Sequence, residues 1–102
     1  MIDYEYAMHF LDDCIDKIKD FNTRQDVVQY YYIESFKIKE RLLETNDETA
    51  HSELFVVKRI LVEANKATTM TDLLRRLDRF YESFFHVTGQ ETIKCHLHTV
   101  RR

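Results

Sequence analysis

The stretch "QYYYIESFKI", residues 29–38, decides between two folds. Three consecutive tyrosines cannot share one helix face, because successive helical residues turn by about 100°. In a strand, two would face one side and the third the other. The segment is rich in β-branched and aromatic residues, and Val28, Tyr30, Tyr32, Phe36 and Ile38 alternate along it, so a strand is the competing reading. Three observations favour a helix. The apolar pattern continues without a break into "KERLLET". The chain has no proline and one glycine, Gly89, so the residues that hairpin turns use are missing. On a helical wheel Val27, Val28, Tyr31, Tyr32, Phe36, Ile38, Leu42 and Leu43 occupy one half. The sequence therefore predicts a helix over 24–45. Thr23 followed by Asp26 reads as its start, an N-cap with an acid three residues on.

The pattern repeats on either side. Over 3–21, Tyr4, Ala7, Met8, Leu11, Cys14, Ile15, Ile18 and Phe21 oppose Glu5, His9, Asp12, Asp13, Asp16 and Asp20. Over 48–67 the inward set is Leu54, Val56, Val57, Ile60, Leu61 and Ala64. Over 70–87 it is Met70, Leu73, Leu74, Leu77, Phe80, Tyr81, Phe84 and Phe85, with Gly89 suited to the residue just past the helix end. Residues 90–102 read either as a short strand or as a last short helix. Short polar links between amphipathic helices imply antiparallel neighbours. The expectation is an all-α fold: an antiparallel up-and-down four-helix bundle with a short fifth C-terminal segment, forming a single helical domain over 1–102.

Composition limits the function. The 102 residues are 44% hydrophobic and 32% charged, which is globular rather than disordered. The net charge of −3 does not demand nucleic acid as a partner. Charge is uneven, however: residues 1–21 hold six acids against two bases, and residues 68–102 hold six bases against four acids. Two cysteines, Cys14 and Cys95, with no secretory leader pattern in "MIDYEYAMHF", suggest reduced thiols and a cytoplasmic protein. No run approaches the ~18 apolar residues of a membrane span, so no membrane partner is expected.

The chemical motifs are thin. "KCHLH" holds Cys95, His96 and His98, but a structural zinc site needs three or four converging ligands and no second pair has suitable spacing. Glu48 and His51 have the Glu-x-x-His spacing of di-iron bundles, which need two copies plus two further glutamates. Asp12, Asp13, Asp16 and Asp20 read as a solvated helix face. One glycine excludes a P-loop or a dinucleotide fingerprint. No metal and no cofactor are expected. Within "RRLDRFYESFFH", Arg79 and His86 lie seven residues apart on the outward side of the last helix. An arginine can stabilise phosphate charge there while a histidine moves a proton. This spacing resembles the catalytic motif of HEPN-superfamily ribonucleases, with Phe80 where that family commonly has a polar residue. The resemblance covers one helix. It implies a small helical bundle that dimerises and pools two such motifs in one cleft for metal-independent RNA cleavage.

Apolar residues outside the main faces point elsewhere. Tyr30 and Ile33 sit among the charges of the second helix, and Phe55 and Val62 among those of the third. Aromatic residues beside Lys and Arg are the composition of interfaces. The leading expectation is a non-enzymatic helical interaction module of regulator, inhibitor, antitoxin or immunity type, forming a homodimer and binding a protein partner. Tyr30, Ile33, Phe55 and Val62 would form the contact, with Lys37, Arg41 and Arg59 as rim charges. The alternatives are the ribonuclease using Arg79 and His86, and a nucleic-acid-binding regulator with a basic C-terminal patch of Arg75, Arg76, Arg79, Lys94, Arg101 and Arg102.

Overall fold

With one glycine and no proline, the chain uses polar side chains to start its helices. The computed structural model describes residues 2–88 and shows four such helices: α1 (Tyr4–Ile18), α2 (Arg24–Thr45), α3 (Glu48–Lys66) and α4 (Met70–Thr88). Asp3 Oδ1 accepts the Tyr6 N–H at the start of α1. Thr23 Oγ1 accepts the Asp26 N–H, and Asp26 Oδ2 accepts the Thr23 N–H, a reciprocal capping box that opens α2. Asn46 ends α2 in the left-handed region at φ 52°, and its N–H reaches the Leu42 carbonyl at 2.8 Å. Asp47 Oδ1 accepts the Thr49 N–H to begin α3. Thr69 Oγ1 accepts the Asp72 N–H, and Asp72 Oδ2 the Thr68 N–H, at α4. The segment 29–38 is helical throughout, and the strand reading is excluded.

This is an all-α, compact four-helix protein in which α3 packs against all three other helices and α1 also packs against α4. End-to-end contacts give the directions. Arg24 Nη1 donates to the Ala64 carbonyl and Arg41 Nη2 to Glu53, so α2 runs opposite to α3. Arg76 meets Glu63 while Phe84 meets Phe55, so α4 also runs opposite to α3. The Asp3 N–H donates to Ser52 Oγ and the Tyr6 hydroxyl to Glu53, so α1 runs parallel to α3. α1 meets α2 through Cys14 at Tyr31 and Lys17 over the Tyr30 ring.

The core joins Met8, Leu11, Ile15 and Ile18 of α1 to Val56, Val57 and Ile60 of α3 and to Leu73, Leu77, Tyr81, Phe84 and Phe85 of α4. The inward set expected for α4 is buried or half-buried throughout. Two expectations need correction. Helix α1 stops at Ile18, short of residue 21. The Asp20 and Phe21 N–H groups bond three residues back, to the Lys17 and Ile18 carbonyls, and this tighter turn swings Phe21 out of helical register onto Tyr30. In α2, Tyr32, Phe36 and Leu43 are not core residues. The buried seam is Val27, Tyr31, Ser35 and Ile38, a narrow stripe suited to a helix with one close neighbour. A half-circle of the wheel is wider than that seam, so its margins stay in water. Gly89 and the expected fifth segment lie outside the described residues. Among the described residues, no helix is long and apolar enough to cross a membrane.

Candidate functional site

The residues expected at an interface take three different places. Tyr30 is half-buried by its own chain: its ring lies 5.5 Å from Phe21 and 4.8 Å from Tyr31, and Lys17 Nζ sits 4.8 Å above it. Phe55 is half-buried in a ring cluster with Tyr4, Phe80 and Phe84, at 6.0, 5.9 and 6.2 Å. Ile33 and Val62 stand exposed. The cations differ as well. Arg41 Nη2 donates to Glu53 Oε1 at 2.6 Å, and this hydrogen bond raises the guanidinium pKa and ties the end of α2 to the start of α3. Lys37 is exposed and pairs with Glu34 at 3.4 Å. Arg59 lines a cleft between α3 and α4.

What α2 does expose is an apolar face of its own. Tyr32 is 56% exposed, Ile33 56%, Phe36 49% and Leu43 86%. Tyr32 and Phe36 are four residues apart, and Leu43 is seven further on, so the three align along the helix. The Tyr32 and Phe36 rings meet edge to face at 5.0 Å and 90°. Lys39 Nζ lies 5.4 Å over the Phe36 ring. The pair is thus held in one arrangement in water, with a cation beside it. Sequence reading placed Tyr32, Phe36 and Leu43 inward and so missed this face.

A second concave feature, of about 290 Å³, lies between α3 and α4 and is lined by Arg59, Glu63, Lys66, Arg76, Arg79, Phe80 and Ser83. Its floor is Glu63, only 6% exposed. Burial alone would raise the Glu63 pKa, but hydrogen bonds from Arg59 and Arg76 outweigh it and hold the carboxyl below its ordinary value. Arg59 Nε donates to Oε2 at 2.8 Å and Arg76 Nη1 to Oε1 at 3.3 Å. Arg76 Nε also donates to Asp72 Oδ2 at 3.2 Å. Arg79 lines this cleft, whereas His86 is exposed on α4 outside its lining. Glu63 was also missed. The signal was present: it falls on the stripe of Val56, Ile60 and Ala64, where a carboxylate must find cations.

Elsewhere the chemistry is quiet. Cys14 lies at a pocket of about 170 Å³ between α1 and α2, bordered by Phe10, Tyr30, Tyr31 and Val57. Burial pushes its thiol up to about 12, against the opposing effect of a hydrogen bond with Tyr31, so it is not a thiolate at neutral pH. Among the described residues no cluster of three or more His, Cys, Asp or Glu side chains is placed to hold a metal. Cys95, His96 and His98 lie outside the described residues. Comparison with protein-family models, with curated proteins and with solved structures finds no match to this chain.

Proposed function

We propose that the protein is a small, non-enzymatic helical interaction module, of regulator, inhibitor, antitoxin or immunity type, that docks through the outer face of α2. One observation carries this reading: Tyr32, Ile33, Phe36 and Leu43 stand exposed on α2, which among the described helices packs closely on α3 alone. Large apolar side chains grouped on one face are costly in water and mark contact sites. The first occupant is a second copy of the chain. A twofold axis midway between residues 37 and 38 sets Tyr32 of one copy opposite Leu43 of the other. It also sets Phe36 opposite Lys39, repeating between copies the cation–aromatic contact already made within one. The up-and-down arrangement of the four helices keeps α2 at the margin; the opposed directions of α2 and α3 and of α3 and α4 support it. The site of action is the cytoplasm, as the two cysteines suggest.

Sedimentation equilibrium tests the dimer. The wild type should sediment as a dimer at high concentration, and Phe36→Glu as a monomer with an unchanged helical spectrum. A monomeric wild type, or a variant that still dimerises, rules out this face as a self-contact.

The alternative is the HEPN-type ribonuclease, supported by Arg79 and His86 both being exposed on α4. Incubation with RNA beside a His86→Ala control separates it from the first reading. Cleavage lost only in the control selects the enzyme, and no cleavage removes it.

A further inference from the structure

We propose that the α3–α4 cleft is a binding site for the diphosphate group of a small phosphorylated molecule. No residue of the exposed α2 face lines it, so it is independent of the docking reading. Four cationic side chains converge there from two helices: Arg59 and Lys66 from α3, Arg76 and Arg79 from α4. Their mutual repulsion is offset by Glu63 at the floor and by Asp72, which holds Arg76 from the side. Four cations against two carboxylates leave a surplus of two positive charges inside a concavity, a surplus that a multivalent anion would neutralise.

The hydrogen bonds show which donors remain. Glu63 engages Arg59 through Nε and Arg76 through Nη1, and Asp72 engages Arg76 through Nε. These bonds leave both terminal nitrogens of Arg59, Nη2 of Arg76, the whole Arg79 guanidinium and the Lys66 ammonium for a ligand. Arg59 is further fixed by the Phe80 ring, 4.8 Å from its guanidinium carbon. Ordering a long side chain normally costs binding energy, and here two arginines are ordered in advance. Ser83 directs its hydroxyl proton to the Phe80 carbonyl at 2.6 Å, so it lines the cleft without donating to it. The donor set is therefore cationic forks plus an ammonium, which matches phosphoryl oxygens rather than a sugar or an amide. The size agrees. The cleft, of about 290 Å³ between two helices, has room for two linked phosphoryl groups.

The test is calorimetric titration of the full chain with pyrophosphate, ADP, inorganic phosphate, sulfate and a short RNA, in one buffer. Pyrophosphate or ADP should saturate one site per chain and bind more tightly than phosphate or sulfate. Preference for ADP would indicate a nucleoside diphosphate as source, and preference for pyrophosphate the free diphosphate. Arg79→Ala and Lys66→Ala should each weaken binding about tenfold, the loss of one charge-assisted contact. Arg75→Ala, on the same helix but outside the cleft, should bind as the wild type does. Both removed side chains are exposed, and thermal melts confirm that each variant folds. Equal weak binding of every anion, an Arg75 effect as large as the Arg79 effect, or binding of RNA alone overturns the proposal.

Discussion

Helices α2 and α4 are both rich in aromatic and aliphatic residues, yet they meet opposite fates. α4 turns Leu73, Leu77, Phe80, Tyr81, Phe84 and Phe85 inward. α2 buries only Val27, Tyr31, Ser35 and Ile38 and leaves Tyr32, Ile33, Phe36 and Leu43 in water. The difference lies in the neighbours. α4 is enclosed by α1 and α3, while α2 packs closely on α3 alone. Apolar content therefore fixes that each segment is a helix with something to bury, and the number of neighbours fixes how much of it is buried within one chain.

The strongest way to break this contrast is to make the same chemical change on both helices. Phe84→Ala should lower stability by about 3–5 kcal/mol, because it opens a cavity among Tyr4, Phe55 and Phe80. Phe36→Ala should change it by less than about 0.5 kcal/mol in dilute protein. Urea denaturation measures both. At high concentration the Phe36 variant should lose more, since a dimer stabilises the wild type by mass action. Equal losses in dilute solution would mean that the α2 face is covered within the monomer.

A smaller effect is expected at the cleft. Glu63→Gln removes the charge that holds Arg59 and Arg76 and should cost about 1–2 kcal/mol at neutral pH, less than a core cavity, because both arginines can reach water. The pH dependence has a definite sign. The Glu63 pKa is lowered on folding from an ordinary 4.5, so its stabilisation is complete above that value and is lost as pH falls through the folded value. Asp72 and Asp47 are lowered too, through hydrogen bonds from Arg76 and Thr49, and act in the same direction. Urea midpoints should decline below about pH 4.5, and less steeply in Glu63→Gln. An unchanged acid limb in the variant would mean that Glu63 is not ionised differently in the two states.

Helix existence was legible in this sequence to within a few residues, because the caps are local. Thr23 and Asp26, Asp47 and Thr49, Thr69 and Asp72 each lie within one turn, so no tertiary knowledge is needed to read them. Tyr30, singled out among the charges of its helix, packs against Phe21 and Lys17, and that contact depended on where α1 unwinds. The exposed face of α2 was not legible, since periodicity gives the direction of a face and not the width that a neighbour covers. The cleft was legible only in parts. Arg59 and Arg79 were both noted for other reasons, and nothing in a linear pattern brings residues 59, 63, 76 and 79 to one place. That juxtaposition follows from the opposed directions of α3 and α4 and from their rotation about their own axes.

The smallest effect sharpens the comparison most finely. α2 and α4 begin with closely similar caps, a threonine whose hydroxyl accepts the N–H three residues on, with Asp26 or Asp72 at that third position. Thr23→Ala and Thr69→Ala should each cost about 1 kcal/mol, since the local hydrogen bond is the same. Where that loss appears should differ. The first turn of α4 leads directly into Leu73 and Leu77, which are fully buried, so loosening it disturbs the core. The first turn of α2 is anchored by Val27 and by Arg24 on the Ala64 carbonyl, and the side chains beyond its narrow seam face water. In native-state hydrogen exchange, Thr23→Ala should speed the opening of amides in the first turns of α2 while leaving the slowest core amides little changed. Thr69→Ala should lower the protection of the slowest amides by nearly its whole ΔΔG. Identical exchange patterns in the two variants would mean that α2 unfolds only with the core, and that its sparse packing does not make it a separate unit.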